Sequence, residues 1–94
     1  MTPIVACFRA LADGSRLRLL AVLKERPVCV EELVSRLALS QPKVSRHLAY
    51  LRRAGLVQSE RRGRRVYYET RPQHDAFMQR IIAELQCYLG DMRE

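Results

Sequence analysis

The stretch ALSQPKVSRHLAYLRRAGLV, at positions 38–57, limits the choice of folds more than any other part of the chain. Its apolar residues Val44, Leu48 and Leu51 recur at helical spacing and form only a narrow stripe. Most of the remaining side chains are basic, hydroxylated or amide. The pattern predicts a helix over 40–54 that packs along one edge and presents a polar face to something outside its own core.

Local signals set the limits of this helix. Ser40 is a favourable N-cap, and Gly55 is a favourable residue just beyond a helix end. The preceding segment VEELVSRL has two leucines four residues apart and acidic residues in its first turn, which predicts another helix. Two helices joined by so short a turn form a helix-turn-helix, which we place over residues 30–54.

The outward face of the second helix carries groups that read base edges. At 100° per residue, the side opposite the apolar stripe is polar and basic. In a major groove, arginine pairs with guanine, glutamine with adenine, and serine with either. Further along the helix, outward basic side chains are better placed for DNA phosphates. The residues so predicted to contact DNA are Gln41, Lys43, Ser45, Arg46, Tyr50 and Arg53.

The segment LVQSERRGRRVYYET has the composition of a β-hairpin. Valines and tyrosines flank a turn at Arg62 and Gly63, which predicts strands over Val57–Arg61 and Arg65–Thr70. The four arginines around the glycine form a basic tip suited to backbone or minor-groove contact. A helix-turn-helix followed by a basic hairpin predicts a mainly α fold with a small β-hairpin, the winged helix-turn-helix, whose wing covers residues 57–70.

The net charge of +7 is concentrated in one quarter of the chain. Between Lys43 and Arg65 there are eight basic residues and one acidic residue, whereas the rest of the chain has nine of each. Such a surface suits a polyanion, because each neutralised phosphate releases a condensed counterion. The alternatives are a merely solvated basic face, or a nonspecific architectural or single-stranded nucleic-acid protein. Neither alternative explains a helix patterned for groove entry.

The rest of the chain predicts flanking helices within one small domain over residues 1–94. Ile4, Phe8 and Leu11 share a face of a first helix, and Asp13 caps a second. The segment from His74 to Met92 carries an apolar stripe broader than a small core can cover. We therefore expect it to pack partly against another chain; the alternative is that it only closes its own core. The residues of its stripe are Met78, Ile81, Ile82, Leu85, Tyr88, Leu89 and Met92.

The chain lacks the signals of an exported, membrane-spanning or catalytic protein. No basic leader with a long apolar region begins the sequence, and no apolar run approaches the roughly 20 residues that span a bilayer. A cytoplasmic location without a membrane partner is expected. No nucleophile has a partnered base, and no glycine-rich phosphate loop or paired-carboxylate cleft is apparent, so an enzyme is not expected.

The runs LADGSRLRLL, CVEEL, LSQPKVSRHLAYLRRAGLV and RRGRRVYYE closely resemble the ArsR/SmtB-type metal-sensing repressors of prokaryotes. The resemblance implies a winged-helix homodimer whose interface is formed by helices within residues 1–12 and 74–92. It also implies that the dimer binds an inverted-repeat operator on double-stranded DNA and is released from it when an inducer binds. The matching positions add Ser40 and His47 to the recognition helix, and wing contacts from Arg62, Arg64 and Arg65. His47 lies toward the buried side, so a packed histidine is the alternative there.

The inducer is where the chain departs from its relatives. Arsenic-responsive members typically carry CVCDL, whereas this chain has CVEEL and keeps only Cys29. Near His74 and Asp75, the last helix does not match the zinc pattern of other members. Thiolates are preferred by As(III), Sb(III) and soft divalent ions, so Cys29 with Cys7, Cys87 or both, from one or both protomers, is the candidate metal site. The alternatives are a redox or persulfide switch, or purely structural cysteines. No cofactor is expected for DNA binding itself.

Overall fold

The computed structural model describes residues 3–92, with side chains through residue 90. Five helices and three short strands follow one another in the order α-α-β-α-α-β-β-α among these residues. The predicted fold class, mainly α with a small β-hairpin, is confirmed. The elements are α1 (Pro3–Leu11), α2 (Gly14–Val22), β1 (Val28–Cys29), α3 (Val30–Leu37), α4 (Gln41–Arg53), β2 (Val57–Arg62), β3 (Arg65–Thr70) and α5 (Ala76–Met92).

The sheet has one strand more than the sequence predicts. β1 pairs antiparallel with β3, opposing Val28 to Tyr68 and Cys29 to Tyr67, and the strand order is β1-β3-β2. The hairpin itself is as predicted, except that β2 continues to Arg62, which pairs with Arg65. A strand of two residues has no periodicity to detect. It exists because its backbone pairs with a strand that is distant in sequence.

The ends of α4 confirm the predicted helix within one residue. The Ser40 hydroxyl accepts a hydrogen bond from the Lys43 backbone N–H at 3.4 Å. At the other end Gly55 has a φ of 81°, in the left-handed region that glycine tolerates. The Gly55 N–H donates to the Arg52 carbonyl and the Leu56 N–H to the Leu51 carbonyl, each at 3.0 Å. This pair of hydrogen bonds is a Schellman motif, and it turns the chain from α4 into β2.

The core lies between the helix-turn-helix, α2 and the start of β2. The apolar stripe predicted on α4 faces it, because all three of its members are fully buried. Leucines of α2 and α3 and one isoleucine of α5 complete this centre. The fully buried residues include Leu19, Leu20, Leu33, Val44, Leu48, Leu51, Leu56 and Ile82.

A buried glutamine fastens α5 to the rest of the fold. Gln86 is 6% exposed, and its Nε2 donates to the Leu20 carbonyl and to the Thr70 hydroxyl, both at 2.8 Å. Thr70 in turn donates to the Leu23 carbonyl at 3.2 Å. Because these polar atoms satisfy one another, the network costs little desolvation energy and fixes α5 against α2 and β3.

Two helices leave large apolar side chains uncovered. In α1 the buried side is formed by the small residue Ala10 together with Cys7 and Leu11, while Ile4 and Phe8 are each 45% exposed. The predicted common face of Ile4, Phe8 and Leu11 is therefore divided: only Leu11 reaches the core. Small side chains on the inner face let α1 pack closely against α2 and α4.

The last helix divides its apolar residues in the same way. It begins at Ala76, two residues later than predicted, because the Asp75 carboxylate accepts a hydrogen bond from the Met78 N–H at 3.1 Å and caps it. Met78 and Ile82 are buried in the core, whereas Phe77 and Tyr88 are 47% and 60% exposed. The side chain of Met92, also predicted on this stripe, lies outside the described residues. No helix in residues 3–92 is long and apolar enough to cross a bilayer.

We expect replacement of Asp13 by alanine to lower the free energy of unfolding by about 1 kcal/mol, because Asp13 is the N-cap of α2. Its carboxylate accepts the Arg16 backbone N–H at 3.0 Å, and this hydrogen bond, followed by the Arg16 charge, holds the pKa of Asp13 below its usual value. Asp13→Asn keeps the cap and removes the charge. Urea titrations of the three proteins at several pH values measure both effects.

The contribution of the Asp13 charge to the free energy of unfolding should depend on pH with a definite sign. A carboxyl whose pKa is lowered by folding contributes its full stabilisation above the unfolded pKa of about 3.9, and loses it as the pH falls through the native value. The stability advantage of the wild type over Asp13→Asn should therefore shrink on acidification below about pH 4. An advantage that grows with acidity would contradict this account of the Asp13 charge.

Candidate nucleic-acid interface

The outward face of α4 is polar, basic and solvent-exposed. Its buried stripe anchors the helix, and the predicted base-reading residues Gln41, Ser45 and Arg46 are all exposed, as is Lys43 at the edge of this face. The structure therefore confirms the orientation of α4 that helical periodicity predicts. This face can donate and accept hydrogen bonds in the pattern that base edges present in a major groove.

Tyr50 lies one turn beyond Arg46 on α4 and is 36% exposed. The Arg16 guanidinium stacks over its ring, 4.1 Å from the ring centre, and the Arg53 guanidinium lies 5.9 Å from it. A cation over an aromatic face is attracted by the quadrupole of the ring. Tyr50 is thus held by a residue of α2, and Arg53 extends the basic surface toward the C-terminal end of α4.

His47 is held against α2. Its Nδ1 lies 3.4 Å from an Arg16 guanidinium nitrogen and 3.9 Å from an Asp13 carboxylate oxygen, and its side chain is 22% exposed. A guanidinium only donates, so in the contact with Arg16 the His47 Nδ1 is the acceptor. This is the packed histidine that the sequence leaves open as the alternative to a base contact.

The wing presents its arginines in two ways. The hairpin turn has Gly63 at a φ of 63° and Arg64 at a negative φ, the sign pattern of a type II′ turn. Arg62 is engaged within the wing, 3.2 Å from the Glu60 carboxylate and 4.8 Å from the centre of the Tyr67 ring. Arg64 and Arg65 are exposed at the tip. Among the predicted wing contacts, these two carry the tip's charge, while Arg62 shares its charge with Glu60.

A cation from α1 joins this surface, which the sequence did not predict. Arg9 lines a groove of about 270 Å³ together with Ala6, Tyr50, Arg53 and Ala54. Arg9 and Arg53 come from different helices and border the same groove. Arg9 lies outside the basic quarter of the chain, so charge clustering along the sequence gives no signal for it.

The three cysteines have different environments. Cys7 is buried, its thiol donates to the Ala54 carbonyl at 3.6 Å, and burial raises the pKa of this thiol. Cys29 is buried at the junction of β1 and α3, and Cys87 is exposed on α5. Within residues 3–92 no three His, Cys, Asp or Glu side chains are grouped closely enough to hold a metal ion. The three candidate thiolates are therefore not brought together into one site within the described residues of a chain.

A helix-turn-helix whose second helix presents a polar and cationic face, followed by a basic wing, defines the winged-helix class of DNA-binding proteins. Residues 13–59, which span α2 through the first part of β2, match the family model described as bacterial regulatory protein, arsR family. The chain belongs to the arsR family of bacterial regulatory proteins. It is a DNA-binding transcriptional regulator and not an enzyme, as the sequence predicts.

The similarity extends over nearly the whole chain. The arsenic resistance transcriptional regulator ArsR1 of Pseudomonas putida is 47% identical over 95 residues, covering 96% of this chain and 73% of that protein. The arsenical resistance operon repressor of Escherichia coli is 41% identical over 81 residues, covering 85% and 69%. A homodimeric winged helix-turn-helix DNA-binding domain from Mycobacterium bovis superposes with a TM-score of 0.77 at 27% identity, covering 96% and 81%. The predicted class, a DNA-binding repressor, is thereby confirmed.

Proposed function

We propose that the chain is a homodimeric repressor that binds a two-fold symmetric operator through α4 and the wing and is released by a thiol-reactive inducer. The observation that carries the first part is the outward face of α4. It holds exposed amide, hydroxyl and guanidinium groups on a helix whose opposite edge is fully buried. A DNA-binding regulator of this kind acts where the chromosome lies, in the cytoplasm.

The proposed contacts divide into two kinds. Gln41, Ser45 and Arg46 lie on the exposed N-terminal half of α4 and are assigned to base edges. The others are assigned to phosphates, because they lie on the flanks of α4 or on the wing, where direction and charge suit the DNA backbone. These are Ser40, Lys43, Tyr50, Arg53, Arg62, Arg64 and Arg65, while His47 supports the helix from its inner side.

A second copy of the chain is the proposed cover for the exposed apolar residues of α1 and α5. Ile4 and Phe8 project from α1, and Phe77 and Tyr88 from α5, in the two segments to which the interface was assigned from the sequence. Large apolar side chains left in water favour burial in an interface. The similar domain from Mycobacterium bovis is itself homodimeric, which supports this arrangement.

Selection of bound duplexes from a random pool tests the DNA-binding part. A dimeric repressor should enrich one inverted repeat whose half-site centres lie about one helical turn, or a multiple of it, apart. A nonspecific architectural protein would enrich no sequence. Enrichment of an asymmetric single site would support DNA recognition and contradict the two-fold arrangement.

The proposed inducer is trivalent arsenic, antimony or another thiophilic ion held by Cys29 with Cys7, Cys87 or both. Thiolate sulfur is the ligand that such ions prefer. The described residues of one chain do not group three such ligands, so a three-thiolate site requires thiols from both protomers or a movement of α1 or α5. Cys87 is exposed and open to oxidation, which favours thiol oxidation or persulfide formation as the second candidate trigger.

We expect Cys29→Ser to leave operator affinity unchanged and to abolish release by arsenite, because the substitution removes the thiolate common to all versions of the proposed site. Fluorescence anisotropy of the operator complex, titrated with arsenite, antimonite, zinc, cadmium and a persulfide donor, measures this. Cys7→Ser and Cys87→Ser identify the partner thiols. A full arsenite response in Cys29→Ser would discard this site, and release by the persulfide donor alone would establish the second trigger.

A further inference from the structure

One arginine outside the recognition helix is tied to it more closely than its position in the sequence suggests. The Arg16 side chain, on the first turn of α2, is only 12% exposed. Its Nε donates to the Ala10 carbonyl at 2.7 Å, and a terminal nitrogen donates to the Arg9 carbonyl at 3.3 Å. Both carbonyls lie in the last turn of α1, where intrahelical partners run out, and the Arg9 carbonyl also accepts the Ala12 backbone N–H at 3.2 Å. The guanidinium therefore caps α1 from outside.

The other edge of the same guanidinium faces the recognition helix. Its second terminal nitrogen lies 3.4 Å from His47 Nδ1. The Cζ atom of the guanidinium lies over the Tyr50 ring, 4.1 Å from the ring centre. Asp13 stands beside this group, with a carboxylate oxygen 3.9 Å from the Arg16 nitrogen. One side chain of α2 thus connects the end of α1 to two successive turns of α4.

We propose that Arg16 is a positioning residue for DNA recognition, which fixes the rotation of α4 about its axis without itself touching DNA. The inference rests on the proposed operator-binding function. His47 follows Arg46 directly, and Tyr50 lies four residues after Arg46. The contacts of Arg16 with these two side chains are one turn apart, so they restrain the side of α4 next to Arg46. Recognition groups need to be held within about 0.5 Å of their productive geometry, and a helix free to rotate does not hold them so.

The geometry requires arginine at this position. A guanidinium has five N–H donors in a fixed planar fork, so Nε and one terminal nitrogen serve α1 while the other serves His47 and the plane stacks on Tyr50. A lysine ammonium is a point donor on a flexible stem. It retains the charge but satisfies only one side of the connection.

Arg16→Lys is the test, with Arg18→Lys as its matched control. Both substitutions keep the charge and lie on α2, but Arg18 is exposed and donates from its side chain to the Leu37 carbonyl on α3. For Arg16→Lys, at a temperature where circular dichroism shows a folded protein, we expect operator affinity to fall about tenfold. Discrimination against an operator changed at the base pair assigned to Arg46 should fall with it. The control should stay within about twofold of wild type in both measurements.

Two further readouts separate positioning from other roles. In Arg16→Gln, which removes the charge, the salt dependence of binding should keep its wild-type slope, since a lost phosphate contact lowers that slope by about one unit. In a double-mutant cycle, Arg16→Lys should cost less in the background of His47→Ala than in the wild type, because Arg16 acts partly through His47. Only arginine should give wild-type recognition at this position: Arg16→Gln should lose affinity and discrimination like Arg16→Lys, although it lacks the positive charge.

Each contrary outcome has a distinct meaning. A reduced salt slope would make Arg16 a phosphate contact and overturn the inference. Lower affinity with unchanged discrimination, or losses that multiply independently with those of His47→Ala, would overturn it as well. If wild-type protein selects no operator, the proposed function fails. If it selects one and Arg16→Lys matches Arg18→Lys, only the role of Arg16 is refuted.

Discussion

Replacing Arg46 with alanine should weaken operator binding by about 1 to 3 kcal/mol, roughly 5- to 150-fold, and relax the preference at a single base pair. Arg46 is exposed near the middle of the outward face of α4, where a guanidinium can pair with guanine O6 and N7 in a bidentate manner. Binding isotherms for the selected operator and for its single-base variants measure both effects. The loss of preference should be confined to the positions that Arg46 reads in the two half-sites.

Arg64→Ala is the matched comparison, because it removes the same charged group from the exposed tip of the wing. As a phosphate contact, it should weaken all sequences alike and lower the salt slope by about one unit, leaving base preference intact. If the two variants lost affinity and preference in the same way, the assignment of base reading to α4 and backbone contact to the wing would be wrong.

Leu48→Ala should lower the free energy of unfolding by about 2 to 5 kcal/mol, which is a large share of the stability of a domain of this size. Leu48 is the middle residue of the buried stripe of α4 and is fully buried. Its truncation removes apolar contacts and leaves a cavity under the recognition helix. Urea unfolding at one fixed protein concentration measures the loss, since the stability of the proposed dimer would depend on concentration.

Ala49→Ser is the control for this substitution, because Ala49 is the next residue of α4 and is exposed. A surface change of this kind should shift the free energy of unfolding by no more than about 0.5 kcal/mol. A loss below about 1 kcal/mol for Leu48→Ala would show that the stripe does not anchor the helix as described.

The recognition helix and the wing could be predicted because local signals specify them. Ser40, Gly55 and the stripe of α4 give the limits and facing of the helix without reference to the rest of the chain. Gly63 between basic and aromatic residues does the same for the hairpin. Here local preference and the final fold agree, so periodicity and capping were sufficient.

What the sequence did not predict depends on contacts between distant residues. β1 exists through its pairing with β3, and the role of Arg16 depends on carbonyls of α1 and on His47, 31 residues further along the chain. Asp13 predicted a capped start of α2, but nothing in the sequence indicated the contact of Arg16 with His47. The grouping of Arg9 with Arg53 likewise arises only from the packing of α1 against α4.

The geometry of the candidate metal site likewise could not be predicted from the sequence. Three cysteines in distant segments suggested a thiolate site, and the chain keeps two of them buried in separate places and one exposed. Sequence can supply the ligand type but not the distances between ligands. The proposed thiophilic site needs thiols from two protomers or a movement of α1 or α5, and the serine variants test it.

In the proposed complex, one surface formed by the outward face of α4 and the wing contacts the duplex. Amide chemical-shift mapping of the protein with the selected operator tests this arrangement. We predict that the largest shifts fall in residues 40–53 and 60–66, and that the exposed face of α5 is unchanged. Shifts concentrated on α5, or spread evenly over the chain, would contradict the account.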